Sequence, residues 1–281
     1  MKKRYLVPIL LLVYAGYMCL MFPIIVKLWA RYSQTTRISG YASTMDQTSI
    51  EEREAELKRD MDYNASLFEH QKVHPFRYHG EEKSDELYES LLSGTPTMCT
   101  LEIPRIDISI TVSHGTRSNE LQYEAGHFYG TSLPVGGPNT HCGIAAHSAL
   151  PRADLFTNLE LLEVGDEFFI HVLGETHAYI VKDVKVVLPE EADLYMQIEE
   201  GKDLVTLYTC TPYGINSHRL LVTGERTTDP VKESSAPLSA VAQTRSTRTM
   251  MLLTLIIFAP IMLSIIIIVA NECRIYQMKR E

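Results

Sequence analysis

The distribution of apolar residues divides the chain into two uninterrupted apolar segments and a central part in which apolar and polar residues alternate. Residues 5–26 contain no charged residue over 22 positions, and residues 249–271 contain none over 23. Each segment is long enough to cross a hydrocarbon core of roughly 30 Å as a helix. The pattern therefore predicts transmembrane helices over residues 5–28 and 249–271.

The first apolar segment follows a basic start at residues 2–4, which is also typical of a cleaved signal peptide. Its length exceeds the about 7 to 15 residues of a signal-peptide core, and no small-x-small cleavage site follows it. We therefore expect an uncleaved anchor.

Basic residues flank the two spans at both chain ends, and the positive-inside rule then predicts that residues 1–4 and 272–281 are cytoplasmic. An even number of spans keeps both ends on one side in any case. Cations also lie on the opposite flanks and weaken the inference: Lys27, Arg31, Arg37, Arg245 and Arg248.

The region after the first span, residues 29–83, is predicted to contain a stalk, a helix and a connecting loop. Residues 32–48 are polar and rich in Ser and Thr, as expected of a stalk. Thr48 or Ser49 can cap a following helix whose first turn is acidic. Pro75 prevents this helix from continuing.

Apolar residues recur at helical spacing in the predicted helix, at Ile50, Leu57 and Met61. A stripe of this kind normally packs against an apolar surface. The alternative is a charged helix whose entire surface is solvated.

The central part, residues 84–228, consists of short segments in which apolar residues alternate with polar ones. From Ile106 to Val112, for example, every second residue is apolar, which is typical of a strand with one buried face. Gly- and Pro-containing turns separate these segments, and no long helices alternate with them, so the pattern favours an antiparallel barrel. Residues 229–248, rich in Ser, Thr and Ala, are predicted to be a flexible linker to the second span.

The formal net charge of −9 and the pI near 5.6 argue against a nucleic-acid-binding surface, which requires a basic patch. Of the five cysteines, Cys99, Cys142 and Cys210 lie outside the spans, an odd number that does not suit a disulfide framework. The chain has no C-x-x-C pair, so we expect neither a zinc site nor a thioredoxin-like motif. No cofactor is expected.

Two strand-like segments, residues 203–210 and 219–226, are joined by an eight-residue loop. If they pair as a hairpin, the thiol of Cys210 and the guanidinium of Arg219 face each other at its mouth. A nucleophile and a permanent cation would then share one site. The alternative is that Cys210 is a small apolar core residue, which is the commoner fate of a free cysteine.

The residues around this hairpin carry a longer pattern. T-L-x-T-C ends at Cys210, an arginine follows nine positions later at Arg219, and a G-x-x-x-H segment ends at His147. This combination resembles the sortase family of cysteine transpeptidases. Further ordered segments resemble the class C, pilus-polymerising sortases in particular: Leu101–Pro104, His114–Thr116, Gly130–Gly137, Leu155–Thr157 and Thr211–Gly214. The resemblance covers roughly residues 88–226, about half of the chain.

The resemblance implies a mainly β protein with a closed eight-stranded barrel, short N-terminal helices and a lid loop, flanked by the two transmembrane helices. It also implies the catalytic residues. Cys210 would attack the Thr–Gly bond of an L-P-x-T-G-like sorting signal and form a thioester. His147 would protonate the leaving amine, and Arg219 would stabilise the oxyanion. His218, adjacent to Arg219, is the alternative to His147, and a caspase-like protease is disfavoured because Q-A-C-x-G is missing.

Class C sortases carry a lid over the active site, formed by an acidic residue followed by proline and an aromatic residue. The corresponding residues here are His74, Pro75 and Phe76. Because His74 replaces the usual aspartate, an acidic contact to Arg219 is missing and we expect a more loosely held lid. The alternative is a simple proline-containing connector. Class C sortases generally lack the calcium site of some relatives, so we expect no metal at the acidic loop 189–193.

Taken together, these features predict a plasma-membrane enzyme of a Gram-positive bacterium with an extracytoplasmic catalytic domain. The resemblance implies pilin subunits bearing sorting signals as partners, with a pilin lysine as the acyl acceptor, and membrane lipid contacts through both spans. Two alternatives stay open. One is a housekeeping sortase that attaches surface proteins to a cell-wall precursor, and the other is a catalytically silent pilus-assembly protein.

Overall fold

The computed structural model describes residues 3–77, 85–117, 121–150, 153–228 and 238–278. Within these ranges the chain forms four α-helices, α1 Lys3–Gln47, α2 Ile50–Gln71, α3 Glu86–Ser90 and α4 Leu238–Met278. It also forms eight strands: β1 Cys99–Ile103, β2 Ile108–His114, β3 Ala125–His127, β4 Thr140–Ala145, β5 Glu167–Val172, β6 Glu175–Val187, β7 Asp203–Thr211 and β8 His218–Arg226.

The eight strands close into a barrel in the order β1-β2-β3-β4-β7-β8-β6-β5, which confirms the predicted closed eight-stranded fold. The expectation of a purely antiparallel barrel is wrong in one respect, because β2–β3 and β4–β7 pair in parallel. Parallel neighbours require a crossover connection, and β5 and β6 form the one between β4 and β7. The carboxyl ends of β4 and β7 therefore lie at the same edge of the barrel.

The barrel interior is filled by apolar side chains that are excluded from solvent. Removing each such side chain from water stabilises the fold by about 1.5–3 kcal/mol. Leu207, predicted from sequence to face the core, is 0% exposed. Other apolar residues with no exposed surface include Leu101, Ile103, Val112, Ile144, Leu159, Phe168, Ile170, Tyr179, Val181, Val205 and Val222.

The long terminal helices α1 and α4 both contain a segment with the length and composition to cross a membrane, with mean hydropathy of 2.4 and 3.0. The structure differs from the sequence expectation beyond these segments. α1 continues through the predicted stalk to Gln47, and α4 begins at Leu238 within the predicted linker. Residues 229–237 of that linker, and the basic residues Lys2, Lys279 and Arg280, lie outside the described residues.

The polar end of α1 is helical because the barrel holds it there. Ile38 and Tyr41 are 2% and 5% exposed. The Tyr41 hydroxyl donates to the carbonyl of Met98 and accepts from the amide of Leu173. The apolar segment and the helix that contacts the barrel are thus one continuous element, so a segment without the apolar residues that keeps these contacts must begin near Arg31.

Helix α2 begins with the predicted cap, since Ser49 and Glu52 form a capping box. The predicted apolar face packs against the core at Leu57 but not at Ile50 and Met61, which are 62% and 48% exposed. α2 also buries polar residues. Asn64 donates to the carbonyl of Leu133 and accepts from its amide, at 3.2 and 2.7 Å. Hydrogen bonds to loop backbone therefore add to an apolar contact smaller than expected.

The other buried polar residue of α2 is Asp60, whose side chain is 0% exposed. Both of its carboxylate oxygens are buried without a hydrogen-bond partner among the described residues. Burial raises the pKa of Asp60 to about 7, and nearby Arg59 opposes this only in part. Below that pH the carboxyl group is neutral, which lowers the cost of its burial.

The buried carboxyl group predicts a pH-dependent stability. Between pH of about 4 and about 7 the folded chain holds the Asp60 proton while the unfolded chain releases it, so the free energy of unfolding falls as pH rises. At pH 8, we expect Asp60→Asn to be more stable than the parent by roughly 2–4 kcal/mol, with little difference at pH 4. Urea denaturation of residues 31–228 at several pH values measures this.

Asp62→Asn is the matched control, because Asp62 is an exposed carboxylate on the same helix. It should leave the pH profile of the parent unchanged. Parallel profiles for the parent and Asp60→Asn would show that Asp60 is not the titrating group.

Candidate active site

The edge of the barrel where β4 and β7 end brings His147 next to Cys210. The last paired residues of the two strands are Ala145 and Tyr208. The amide of Ala146 then donates to the carbonyl of Tyr208 at 3.2 Å, and the Ser148 hydroxyl donates to the carbonyl of Cys210 at 2.7 Å. His147 lies between these two anchored residues, so the parallel pairing fixes its position beside the end of β7.

The hairpin of β7 and β8 places Arg219 on the other side of Cys210. The two residues are direct partners in the antiparallel register, as predicted from sequence. Side chains of directly opposed residues lie on the same face of a sheet. His147, Cys210 and Arg219, separated by up to 72 positions, thus meet at one edge of the barrel.

Three hydrogen bonds orient the Arg219 guanidinium. Its Nε donates to the Tyr208 hydroxyl at 2.9 Å, and Nη1 donates to the carbonyls of Asn216 and His218 at 3.0 Å each. Within the described ranges no carboxylate forms an ion pair with Arg219. Its positive charge is therefore held in place by neutral acceptors and stays available to a negatively charged group.

The imidazole of His147 is half-buried, and this burial lowers its pKa from the ordinary value of 6.5. The neutral form therefore dominates at pH 7, which suits a group that first accepts a proton. His218, the alternative from sequence, is opposite Thr211 in the register and contacts the Ser217 hydroxyl at 2.8 Å. Because side chains alternate along a strand, His218 faces away from the side that carries Arg219 and Cys210.

The three cysteines outside the apolar segments differ in accessibility. Cys99 and Cys142 are 0% and 2% exposed, and burial raises the pKa of both thiols. Cys210 is only partly buried. Since the thiolate is the reactive form, Cys210 is the thiol best placed to react.

The predicted lid residue Phe76 is 5% exposed although it lies in a segment without regular structure. Its ring packs in a cluster with Phe128, Ala145 and Met196, against which Tyr208 also packs. Tyr208 precedes Cys210 by two positions and so shares its face of β7. Phe76 thus belongs to the cluster against which Tyr208 packs, two positions before the candidate nucleophile on that face.

The backbone of Phe76 is held by a residue that the sequence did not indicate, Gln197. The Phe76 amide donates to Gln197 Oε1, and Gln197 Nε2 donates to the Phe76 carbonyl, each at 2.9 Å. The Gln197 carbonyl in turn accepts from Nδ1 of the buried His141 at 2.8 Å. We call the two hydrogen bonds between the Gln197 side chain and the Phe76 backbone the Gln197 clamp. His74 and Pro75, by contrast, are exposed.

The cavity that Cys210 helps to line has a volume of about 10 Å³. A space of this size holds one water molecule at most. The cavity wall includes Phe156, Glu160 and Tyr213, and Phe76 does not line it.

Comparison with known proteins places this site in a family. The model of the sortase domain matches residues 101–227. The solved structure of sortase C-1 from Actinomyces oris is similar at 41% identity and a TM-score of 0.56, covering 62% of this chain and 99% of that one. Sortase C of Streptococcus pneumoniae, whose structure is described as informing catalysis and pilin substrate specificity, is similar at 37% identity and a TM-score of 0.63, covering 70% and 100%.

A curated relative, sortase A of Bacillus anthracis, is 29% identical over 82 residues. The match spans 38% of that protein's length and 29% of this chain. It is therefore a more distant similarity than those to the two sortase C structures.

The differing exposure of the thiols predicts selective alkylation. With iodoacetamide at pH 7.5, we expect residues 31–228 to be modified at Cys210 at least about tenfold faster than at Cys99 or Cys142, because buried thiols with raised pKa values are inert. Peptide mass spectrometry after timed quenching measures the three rates. In urea the rates should converge, and equal rates in the folded protein would contradict the assigned burial.

Proposed function

The chain belongs to the sortase family of cysteine transpeptidases, and we propose that it is a membrane-anchored enzyme that polymerises pilin subunits. The observation that carries this proposal is the placement of Cys210 opposite Arg219 with His147 beside it. The similarity to two sortase C structures, one of them described in terms of pilin substrate specificity, supports pilin as the substrate.

In the proposed first step, the Cys210 sulfur attacks the carbonyl carbon of the Thr–Gly bond in an L-P-x-T-G-like sorting signal. The neutral imidazole of His147 accepts the thiol proton and returns it to the departing glycine amine. The C–N bond breaks, and the carbonyl carbon is left as a thioester on Cys210.

In the second step, a lysine amine of the next pilin attacks the thioester. His147 accepts the proton of that amine, the C–S bond breaks, and an isopeptide bond forms between the two subunits. The Cys210 thiolate is released and can take up a proton again. Oxidation and reduction play no part in either step.

In this scheme, the negatively charged oxyanion that forms in both steps lies beside the guanidinium of Arg219. Tyr208 and the two carbonyls orient this group in advance, so little reorganisation is needed as the charge develops. Arg219 is catalytic in this scheme, and Tyr208 is a positioning residue.

The apolar segments of α1 and α4 suggest membrane anchoring. We propose that both chain ends are cytoplasmic, that the barrel of residues 84–228 is extracytoplasmic, and that the membrane is the plasma membrane of a Gram-positive bacterium. The anchored barrel would then receive pilins as they emerge on the outer face.

A housekeeping sortase that uses a cell-wall precursor as acceptor is the second candidate. The segment over Tyr208 and the second apolar helix both favour the pilin enzyme. A silent assembly protein is disfavoured, since it would need none of the three groups that meet at Cys210.

The proposal predicts covalent multimers. Residues 31–228 mixed with a candidate pilin that bears its sorting signal should give a ladder that resists reductant on a denaturing gel. Cys210→Ala should abolish the ladder, and His147→Ala should reduce it at least about a hundredfold because proton transfer is lost. His218→Ala is the matched control and should retain activity.

Cleavage of the sorting signal without a ladder would favour the housekeeping candidate. Full activity of His147→Ala together with loss in His218→Ala would overturn the assignment of the histidine. Absence of any thioester, even in a variant with an open lid, would support the silent protein.

We further propose that residues 74–76 form the lid and that the Gln197 clamp keeps it closed. Each hydrogen bond of the clamp contributes about 1 kcal/mol, so Gln197→Ala should raise the open population roughly tenfold or more. Phe76→Ala should have a larger effect, because it also removes the buried ring. Rates of Cys210 alkylation and sorting-peptide cleavage by residues 31–228 measure the opening.

Glu200→Ala is the matched control, because Glu200 is an exposed residue three positions after Gln197 on the same loop. It should leave both rates unchanged. If neither Gln197→Ala nor Phe76→Ala changes either rate, the segment is a connector and not a lid.

A further inference from the structure

A cavity of about 450 Å³ that Cys210 does not line lies between α1, α4 and the side of the barrel formed by β2. Ligand sites in proteins commonly have volumes of about 300–1,000 Å³. Polar residues that line it include Gln34, Ser109 and Asn158, and apolar ones include Leu28, Ile38 and Leu252. The proposed reaction leaves this cavity without a role.

Three cations line the cavity, Lys27 and Arg31 from α1 and Arg248 from α4. Asp154 binds Lys27 at 2.7 Å and Arg31 at 3.4 Å, and Asp107 is 3.9 Å from Arg31. Both carboxylates also line the cavity, so its charged residues sum to one net positive charge. Within the described ranges no ion pair involves Arg248, which is exposed.

Gln34 fixes the wall of the cavity against β2. It is 9% exposed, and its Oε1 accepts from the amide of Thr111 at 3.3 Å. The hydroxyl of Thr111 lies 3.2 Å from this oxygen and 3.0 Å from a carboxylate oxygen of Glu124, and it has one proton to donate. Gln34 Nε2 is buried away from the cavity. Arg248, and not this amide, is therefore the group in the cavity that lacks an acceptor among the described residues.

The position of the cavity indicates which acceptor. Lys27 directly follows the apolar residues 5–26, and Arg248 directly precedes the apolar residues 249–271. The cavity therefore lies where the two spans leave the hydrocarbon, at the level of lipid headgroups. Leu28 and Leu252 extend its wall toward the apolar segments. Lys27, Arg31 and Arg248 are among the cations that weaken the positive-inside inference, because they lie on the flanks predicted to be extracytoplasmic. An anionic ligand accounts for cations on those flanks.

We propose that this cavity binds the phosphate headgroup of an anionic membrane lipid. The phosphate oxygens accept from the Arg248 guanidinium, while the first acyl carbons lie along Leu28 and Leu252. Arginine suits such an anion because its planar fork matches phosphate oxygens. The inference rests on the proposed membrane anchoring and does not depend on the proposed reaction.

The test uses the full chain in nanodiscs of phosphatidylcholine alone or of phosphatidylcholine mixed with phosphatidylglycerol. Native mass spectrometry of the released protein counts retained phosphatidylglycerol as its content is varied. Arg248→Gln should weaken retention about fivefold, the effect of one cation near a headgroup. Lys27→Gln removes a second cation from the wall of the cavity and should weaken retention by a similar factor.

Lys58→Gln is the matched control, since Lys58 is an exposed cation on α2 that does not line the cavity. It should leave retention unchanged. A melting temperature equal to that of the parent shows that each variant is folded. Equal retention of phosphatidylglycerol by the parent and by both cavity variants would overturn the proposal, as would an equal loss in Lys58→Gln.

A separate arm distinguishes a lipid from a soluble anion. Inorganic phosphate at millimolar concentration should displace retained phosphatidylglycerol weakly or not at all if the acyl chains contribute to binding. Complete displacement, with phosphate itself retained, would assign the site to a free anion and overturn the lipid. Sorting-peptide cleavage, measured on the same samples, separates the two hypotheses: specific retention without cleavage contradicts only the proposed function, and cleavage without specific retention contradicts only the lipid site.

Discussion

The parallel pairing of β4 with β7 is the constraint on which the site depends. A parallel pair brings two carboxyl ends to the same edge, so the residues after β4 lie beside the end of β7. The hairpin partner β8 begins at that edge, which places Arg219 opposite Cys210. A purely antiparallel arrangement of β4 and β7 would put His147 at the far end of the barrel from Cys210. The position of His147 near Cys210 thus follows from the parallel pairing of β4 with β7.

A second constraint is the continuity of α1, which runs from the apolar segment to Gln47 without interruption. Because Gln34 and Tyr41 bond to the barrel, the helix that carries the first apolar segment is also part of the domain. The barrel is therefore not suspended on a flexible stalk, and the helix sets its orientation to the apolar segment. This rigidity also forms the cavity between α1, α4 and β2, since a mobile stalk could not hold its wall.

Features that depend on neighbouring residues were predictable from the sequence. The capping box at Ser49 and the hairpin that opposes Cys210 and Arg219 are both local patterns, and the structure contains both. Features that depend on distant partners were not. α2 buries the polar residue Asn64 because this side chain forms a hydrogen bond with a loop residue 69 positions away. The spacing of Ile50 and Met61 does not indicate such a bond. The Gln197 clamp joins residues 121 positions apart in the same way.

The replacement of the usual lid acid by His74 changes what holds the proposed lid. An acid paired with Arg219 would be a charged contact, weakened by salt and lost when the acid is protonated. Here Arg219 is bound by the Tyr208 hydroxyl and by carbonyls, and Phe76 is held by the neutral amide of Gln197. An amide does not titrate, and a bond between neutral groups is little affected by screening. The Gln197 clamp therefore offsets the absence of the acid, and we expect closure of the proposed lid to depend on neither salt nor pH near neutrality.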